Sequence, residues 1–321
     1  MIGRFLLTAA LVIASATASA QTWPTKPIRM IVPLAPGATA DIIARIYADE
    51  LGKALGQTIV VDNKTGAGGT IATAEASRAA PDGYTMILIS QGTVVFNIGL
   101  YPKPGYDPTK DFDAVALAGS VSNVLVLHPD NPAKTVADVI AQAKEKPGEY
   151  TYSSGGTGTS HHMSALLFER DTGVKMQHVP YRTTPAGIMG VANGEVKMGF
   201  FNTPTVVSLI KSGKLKAIAI TSEQRSELLP EVPTMVEQGV KGHVFNTWMG
   251  FAMPKGAPPA VVSKLNAEFL RIARLPAVLE KTRAQGIDMM PPEPPAAVDK
   301  LVRDELAIWV PIIKASGASA E

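Results

Sequence analysis

The chain has 321 residues, and its 30 lysine and arginine residues against 28 aspartate and glutamate residues give a formal charge of +2. A balance this close to neutral, without a run of basic residues, argues against nucleic acid or an anionic membrane surface as the partner. The sequence has no cysteine, which excludes disulfides, thiol catalysis, a lipidated N-terminal cysteine and cysteine-ligated metal.

Residues 1–20 have the pattern of an export signal. Arg4 supplies a positive charge, Phe5 to Ala16 form a short apolar stretch, and Ala18-Ser19-Ala20 is an A-x-A cleavage site. A membrane anchor is the alternative, but the apolar stretch is shorter than the roughly 20 residues that span a bilayer core. We therefore expect cleavage after Ala20, a periplasmic protein and no direct membrane insertion. The remaining length favours two domains.

The first element after the signal is a strand, a small-residue loop and a helix between Ile28 and Arg45. An apolar run to Val32 gives way to proline and glycine, and helical spacing begins at Asp41. The first turn of a helix has unpaired N–H groups and the positive end of the macrodipole, so it attracts anions. Thr39 or Asp41 is the expected N-cap. Because the loop has no lysine or arginine, we expect backbone N–H groups to hold the anion.

A second strand, Thr58 to Asn63, leads through Gly66-Ala67-Gly68-Gly69 into a helix. This resembles the dinucleotide fingerprint G-x-G-x-x-G, but Ile71 stands where the third glycine belongs, so no nucleotide cofactor is expected. A tight turn and another backbone wall of the same cleft are both open interpretations. The next strand, Tyr84 to Ser90, ends in the small polar group Ser90-Gln91-Gly92-Thr93.

Two strands, Val115 to His128 and Asn246 to Met253, are each long enough to cross between two domains. Between them the opening pattern recurs, with a strand from Tyr150, the small-residue loop Ser154 to Thr159 and a helix with Ser160 as its expected N-cap. The loop lacks the lysine of a nucleotide-binding Walker loop. Two helix N-termini without basic residues, facing each other across a cleft, would hold a carboxylate from both sides.

Strands and helices then alternate from Gln177 to Thr221, which indicates a parallel sheet with right-handed crossovers. Ligands of such sheets bind beyond the carboxyl ends of the strands, where Arg182, Phe201-Asn202 and Thr203 lie. Arg182 is a candidate for a distal carboxylate, and an interdomain ion pair or a solvated position are its alternatives. At Asn202 and Thr203 a helix-capping role competes with ligand contact.

His161 and His162 are adjacent, whereas two metal ligands on one helix face are four residues apart. With no cysteine and five histidines, we expect no metal site. Ser160 beside His161 suggests a nucleophile and base, but no G-x-S-x-G elbow is present and adjacent residues rarely align in these roles. A histidine that hydrogen-bonds the ligand or the backbone is the better interpretation, and no enzymatic activity is expected.

Eight segments occur together and in this order: PLAPGATADIIAR, NKTGAGGTIA, APDGYTMIL, YDPTKDF, SSGGTGTSHHM, VPYR, SGKLKAIAITSEQRSELLPEVPTMVEQG and GAPPAVVSKLN. Over residues 22–318 the chain resembles the Bug family, the periplasmic solute-binding proteins of tripartite tricarboxylate transporters. The resemblance implies an α/β, type II periplasmic binding protein fold, with two lobes of mostly parallel sheet joined by two crossing strands. We expect lobe 1 at 22–122 plus 249–321, and lobe 2 at 123–248.

In that family, main-chain groups and bridging waters from two small-residue loops hold the proximal carboxylate of the ligand. Here those loops would be Leu34 to Asp41 and Ser153 to His162, while 90–93 and the segment after Val196 would add specificity. The residues that we expect to bind ligand are Leu34, Ala35, Gly37, Ala38, Thr39, Asp41, Ser90, Gln91, Thr93, Ser154, Gly156, Thr157, Thr159, Ser160, His161, Arg182, Phe201, Asn202 and Thr203.

The resemblance implies that a monomer captures a small carboxylate without a cofactor and delivers it to the membrane subunits of the transporter. Sensing for a membrane kinase and secreted hydrolysis are the competing functions. Two positions depart from the family. The first loop reads Gly37-Ala38-Thr39-Ala40-Asp41, where two or three consecutive glycines usually precede Thr-Asp. Phe201 replaces an aspartate of many relatives that could pair with a ligand ammonium, so we expect an aromatic or dicarboxylic acid instead of an amino acid.

Overall fold

The structure of the chain is a computed structural model that describes residues 23–290 and 293–320. The expected export signal lies outside the described residues. No helix in the described ranges is long and apolar enough to cross a membrane. The strands are β1 Ile28–Val32, β2 Ile59–Asn63, β3 Thr85–Ser90, β4 Phe112–Leu127, β5 Tyr150–Ser154, β6 Met176–Pro180, β7 Met198–Asn202, β8 Lys216–Ile220 and β9 Asn246–Pro254.

The helices follow the predicted alternation, with short irregular turns near the cleft. A 3₁₀ turn at Ala67–Gly69 and a π-helix at Gly92–Phe96 had no clear periodic signal. The α-helices are α1 Thr39–Leu55, α2 Thr70–Ser77, α3 Asn97–Leu100, α4 Val136–Glu145, α5 Ser160–Thr172, α6 Thr184–Ala192, α7 Thr203–Lys211, α8 Pro259–Ile272, α9 Pro276–Ala284 and α10 Pro295–Ala315.

Two long strands join the two halves of the sheet, whose order is β2-β1-β3-β9-β4-β7-β5-β6, with β8 on β4. In lobe 1, β1 pairs in parallel with β2 and β3; in lobe 2, β5 pairs in parallel with β6 and β7. Strand β4 pairs antiparallel with β9 through its first part and with β7 and β8 through its last part. This is the expected arrangement of two lobes joined by two crossing strands.

One predicted strand pairing is wrong. The strand Lys216–Ile220 does not continue the parallel sheet but pairs antiparallel with β4. The reason is that the crossing strand β4 lies between β7 and β8 and runs opposite to both. Alternation of strands and helices along the chain does not show that a distant strand is inserted between two neighbours.

The crossing strands lie in the core, so their side chains are buried on both faces. Fourteen of the sixteen residues from 112 to 127 are buried, and Asp113 and Ser120 are half-buried, which is the pattern of a strand covered on both sides. On β9, Phe251 packs against Tyr47 and Phe269 on one face. The neighbouring residues of β9 face the second core of lobe 1, as the two-residue alternation of a strand requires.

Replacing Phe251 with alanine tests how much this packing stabilises the fold. The side chain is fully buried, and its ring lies 4.2 Å from the Phe269 ring and 5.2 Å from the Tyr47 ring between centroids. We expect Phe251→Ala to lower the free energy of unfolding by about 3–5 kcal/mol, measured by urea denaturation. Ile308→Ala is the control, because that side chain is 57% exposed. The two variants losing equal stability would contradict this account of the core.

Candidate functional site

The loops that follow β1 and β5 meet at a small closed cavity beside the crossing strands, which we call the inner chamber. It encloses about 30 Å³, and its walls come from both lobes. None of its lining residues is an aspartate, glutamate, lysine or arginine, and one is a histidine. The lining residues are Leu34, Ala38, Thr39, Gly68, Ser90, Gly92, Thr93, Gly158, Thr159, Ser160, His161, Thr184, Asn202, Thr247 and Met249.

The N-terminal turns of α1 and α5 present free N–H groups at this chamber. Those of Thr39 and Ala40 in lobe 1, and of Ser160, His161 and His162 in lobe 2, have no hydrogen-bond acceptor within the described part of the chain. A helix end of this kind carries partial positive charge. Two such ends at one small cavity are the arrangement that is expected of an anion site without a cationic side chain.

The cap of α1 differs from the prediction. Its N-cap is Ala38, whose side chain makes no cap hydrogen bond, while Thr39 and Asp41 lie inside the helix. Asp41 instead accepts hydrogen bonds from the Gly37 N–H at 3.0 Å and from Arg45 Nε at 2.9 Å. Burial would raise the pKa of Asp41, but these hydrogen bonds outweigh it and hold the pKa below its usual value. Asp41 therefore fixes the loop, and the first N–H groups of α1 keep no internal acceptor.

The prediction that Ser160 caps α5 is also wrong, because Thr159 is the N-cap and Ser160 is the first helical residue. The side chain of Thr159 makes no cap hydrogen bond either and donates to the Gly156 carbonyl at 2.7 Å. Both helices that face the chamber therefore begin without a capping side chain. This is the arrangement that leaves their first N–H groups to a ligand.

The rings of His161 and His162 accept hydrogen bonds from backbone N–H groups of the lobe 2 loop. The Nδ1 atom of His161 accepts from the Gly155 N–H at 3.3 Å, and that of His162 accepts from the Gly158 N–H at 3.4 Å. Burial lowers the pKa of His161 to about 4, and burial together with the neighbouring His178 lowers the pKa of His162 to about 3. Both rings are therefore neutral at neutral pH, as acceptors at Nδ1 must be.

A third histidine completes this support. His178 Nε2 lies 2.7 Å from the hydroxyl of Ser154, which accepts from the Gly156 N–H at 3.1 Å. The His178 ring stacks on His162 at 4.3 Å and on Tyr152 at 4.8 Å between centroids. Ser154 is completely buried, so this serine holds the loop together with His178 and is not accessible to a substrate.

The side chain of Asn202, at the end of β7, connects the two lobes. Its Oδ1 atom accepts from Thr39 Oγ1 at 3.1 Å and lies 3.2 Å from His161 Nε2. Its Nδ2 atom donates to Ser160 Oγ at 3.3 Å and to Asn123 Oδ1. The same side chain thus contacts the first turn of both helices and a crossing strand. Ser160 and His161 both bond to Asn202 and not to each other.

The two lobes are closed over the chamber through contacts between backbones. A Cβ atom at Gly92 of lobe 1 would lie 2.9 Å from the Gly158 carbonyl oxygen of lobe 2. A Cβ atom at Gly68 would overlap the Thr157 carbonyl oxygen, and one at Gly158 would overlap Oδ1 of Asn97. Glycine at these three positions is therefore a condition of this closed arrangement.

A second and larger space, which we call the outer cavity, adjoins the chamber at Leu34 and Gly68. It encloses about 460 Å³ between the lobes. Arg182 is the one charged side chain among its lining residues. These residues are Leu34, Ala35, Thr65, Gly66, Ala67, Gly68, Gly69, Tyr101, Gly155, Gly156, Thr157, Pro180, Tyr181, Arg182 and Thr183.

The structure brings most of the predicted binding residues to these two cavities. Nine line the inner chamber: Leu34, Ala38, Thr39, Ser90, Thr93, Thr159, Ser160, His161 and Asn202. Leu34 also lines the outer cavity, together with four more: Ala35, Gly156, Thr157 and Arg182. Six line neither: Gly37, Asp41, Gln91, Ser154, Phe201 and Thr203.

Three of these six have their side chains turned away for clear reasons. Gln91 donates to a carboxylate oxygen of Glu305 on α10. Phe201 is fully buried in the core of lobe 2, because strand alternation directs it away from the face that Asn202 presents to the chamber. Thr203 donates to the Ser122 carbonyl at 3.2 Å. None of these three residues lines either cavity in this closed structure, and their contact with a ligand stays a prediction.

Sequence reasoning missed two kinds of lining residue. Thr247 and Met249 come from β9, and their alternation along that strand was the available signal. The others lie in loops or at the ends of helices and strands, and many of them are glycines, of which Gly68 lines both cavities. The interpretation of the 66–69 loop as another backbone wall of the cleft agrees with this position. Within residues 23–290 and 293–320, no group of three or more histidine, aspartate or glutamate side chains is arranged to hold a metal.

Known proteins show the same fold and sequence pattern. Residues 43–318 match the family described as the tripartite tricarboxylate transporter family receptor, TctC. The chain belongs to this family. Protein BugT of Bordetella pertussis is 34% identical over 319 residues, which cover 99% of this chain and 97% of BugT. The predicted membership of the Bug family is thereby confirmed.

Two solved TctC-like structures carry ligands. Rpa4515 of R. palustris with adipate is 31% identical, with a TM-score of 0.89, and the match covers 92% of this chain and 99% of that one. MatC of Rhodopseudomonas palustris with bound malate is 31% identical, with a TM-score of 0.86, covering 91% and 100%. The fold is that of the periplasmic binding proteins of this family, as predicted, and the chain is a solute-binding protein.

Replacing Gly92 with alanine tests the closed contact between the lobes. Gly92 lies in a helical turn without a positive φ, so alanine suits the local backbone, but its Cβ atom would press on the Gly158 carbonyl. We expect Gly92→Ala to move the lobes away from the closed distance. Pulsed EPR would measure the distance between the lobes from spin labels at Lys103→Cys and Lys175→Cys. Both positions are exposed, and the chain has no other cysteine that would take a label.

Gly52→Ala is the matched control for this measurement. Gly52 also lies in a helix without a positive φ, and a Cβ atom there would meet only the Gln57 carbonyl at 3.4 Å, within lobe 1. We expect this variant to keep the distance distribution of the original protein. A Gly92→Ala distribution that also matched the original would show that the glycine contact does not govern closure.

Mild acid should destabilise the fold through its neutral histidines. The unfolded rings have a pKa of about 6.5, whereas His161 and His162 have lowered values of about 4 and about 3. Below pH 6.5 the unfolded chain therefore binds protons that the folded chain does not, and its free energy of unfolding falls. At pH 5, which is still above the usual carboxyl pKa, the lowered pKa of each ring should reduce the free energy of unfolding by about 2 kcal/mol.

Urea denaturation at pH 7 and at pH 5 measures this effect. His161→Gln should show a smaller loss of stability between the two pH values than the original protein. His128→Gln, at a position outside both cavities, should show the same loss as the original. Identical pH dependence of the two variants would contradict the burial of a neutral His161.

Proposed function

We propose that this protein captures a small organic carboxylate in the periplasm by closing its two lobes, and delivers it to the membrane subunits of a tripartite tricarboxylate-type transporter. One observation carries the proposal: free N–H groups of α1 and α5, one helix from each lobe, end at a chamber without a cationic side chain. A carboxylate there contacts both lobes at once. It therefore stabilises the closed state, which alone offers both sets of contacts.

The ligand class is an aromatic or dicarboxylic acid in preference to an amino acid. No aspartate or glutamate is among the residues that line either cavity, so a ligand ammonium would have no carboxylate partner. The body of the ligand has room in the outer cavity, where Leu34, Tyr101 and Pro180 offer apolar surface. Family membership, and the adipate and malate bound to the two relatives, also support a carboxylate.

The free energy of binding requires both the helix ends and the apolar wall of the outer cavity. A helix end contributes about 0.3–1 kcal/mol when exposed and up to about 2 kcal/mol when partly buried. Micromolar binding requires about 8 kcal/mol. Burial of about 150 Å² of apolar ligand surface at about 25 cal/mol/Å² adds roughly 4 kcal/mol. Two helix ends alone would therefore bind weakly, whereas two helix ends and an apolar wall are sufficient.

We place lobe 1 at 22–122 plus 249–321 and lobe 2 at 123–248. Two changes in strand pairing support these limits. On β4, Ser122 pairs with β9 and the next residue, Asn123, pairs with β7. On β9, pairing with β3 begins at Met249. The protein would then close about these two points as an exported monomer.

The competing hydrolase function has no support from the two serine–histidine pairs that lie near the chamber. Ser160 and His161 do not bond to each other, and Ser154 beside His178 is buried. Sensing for a membrane kinase uses the same capture step, since fold alone does not separate sensing from transport. A deletion strain that loses a response but keeps uptake of the acid would favour sensing.

A comparison of proline and alanine at residue 160 tests whether the N–H of this residue holds the ligand. Proline is tolerated at the first position of a helix, and Thr159 before it has φ −76° and ψ 160°, which suits a following proline. Ser160→Pro removes one N–H and the hydroxyl, whereas Ser160→Ala removes only the hydroxyl. We expect the proline variant to bind its acid about 10- to 100-fold more weakly than the alanine variant.

Thermal shift with adipate, malate, benzoate and aspartate would first identify an acid that binds. A concentration of 100 times the dissociation constant should stabilise the protein by about 2.7 kcal/mol. Calorimetry with that acid then compares the two variants. Equal affinities would show that the N–H of residue 160 does not hold the ligand, and tighter binding of aspartate than of the other acids would contradict the ligand class.

A further inference from the structure

We propose that Arg182 is an outer anion-binding subsite, which makes this protein select acids with a second anionic group. The inference rests on the proposed function, since it assumes a first carboxylate in the inner chamber. It goes further by assigning the distal end of the ligand to one side chain. It also decides between the two ligand classes, in favour of a dicarboxylate over an aromatic monoacid.

The guanidinium of Arg182 is available to a ligand. It makes no ion pair and no hydrogen bond with any residue in the described ranges, and its side chain is exposed at the wall of the outer cavity. Two arginines of lobe 1 are paired instead: Arg29 with Asp62 at 2.8 Å through Nε, and Arg45 with Asp41 at 2.9 Å. The alternative of an interdomain ion pair at Arg182 therefore has no acid to support it in the closed structure.

The backbone on both sides of Arg182 is fixed. The Tyr181 N–H donates to the Ser154 carbonyl at 3.1 Å, which ties this segment to the lobe 2 loop. The Thr183 side chain caps α6 by accepting from the Ala186 N–H. The main chain that carries Arg182 is therefore fixed at the cavity wall, so no backbone segment has to be ordered when its side chain pairs with a ligand.

The sizes of the two cavities place the rest of the ligand beside Arg182. About 30 Å³ in the inner chamber suits a carboxylate group, because one water molecule needs at least about 10–15 Å³ measured in this way. The remaining atoms of any larger acid must lie past Leu34 and Gly68, in the outer cavity. The only charge on that wall is positive. A carboxylate at the distal end would meet the planar fork of the guanidinium, which matches it in geometry.

Paired acids of equal length test this subsite. Calorimetry would compare diacids of four to seven carbons with the monoacids of the same length, such as adipate with hexanoate, on the original protein and on Arg182→Gln. We expect Arg182→Gln to weaken the best diacid about tenfold and to leave its monoacid within about twofold. Arg182→Lys, which keeps the charge but loses the fork, should lie between the two.

Lys214→Gln is the control for general electrostatics, because this exposed cation of lobe 2 lines neither cavity. It should leave both affinities unchanged. Equal losses for the diacid and the monoacid in Arg182→Gln, or an original protein that binds the monoacid at least as tightly, would overturn the subsite while leaving carboxylate capture intact. An original protein that binds no acid of either series, and no aromatic acid such as benzoate, would overturn the proposed function itself.

Discussion

The proposed recognition site depends on hydrogen-bond donors that belong to the backbone of two helices in different lobes. The first N–H groups of α1 and α5 have no internal acceptor, and neither N-cap side chain, Ala38 or Thr159, bonds to them. Peptide N–H groups do not titrate near neutral pH, and unlike lysine or arginine side chains they cannot turn to form an ion pair with a neighbouring carboxylate. The chamber therefore keeps its preference for an anion without a lysine or arginine, provided that the lobes bring the two helices together.

Most of the remaining polar groups near the chamber hold those helices in place. Asp41 fixes the first loop through Gly37, and His161 and His162 fix the second through backbone N–H groups. Asn202 then bonds to residues of both helices. The hydrogen bonds of each loop are thus largely satisfied within its own lobe. Such preorganisation lowers the cost of ordering the site when a ligand binds.

The sequence alone predicted the architecture because its signals are local and periodic. The change from strand to helical spacing after Val32, repeated after Ser154, placed both loops of the site correctly. The errors came from information that is distant in sequence. The partner of Gln91 is Glu305, 214 residues away, and the inward face of β7 depends on the register with β4. The pairing of β8 was mistaken for the same reason.

The division of the donors between the lobes has a consequence for unloading. The N–H groups at Thr39 travel with one lobe and those at Ser160 with the other, while the Gly92 contact joins the two sides. Under the proposed function, a docking protein that separates the lobes at this contact would remove one of the two sets of donors from the ligand in a single step, without competing for the ligand chemically. The cargo would then leave an intact receptor, since neither loop has to unfold to let it go.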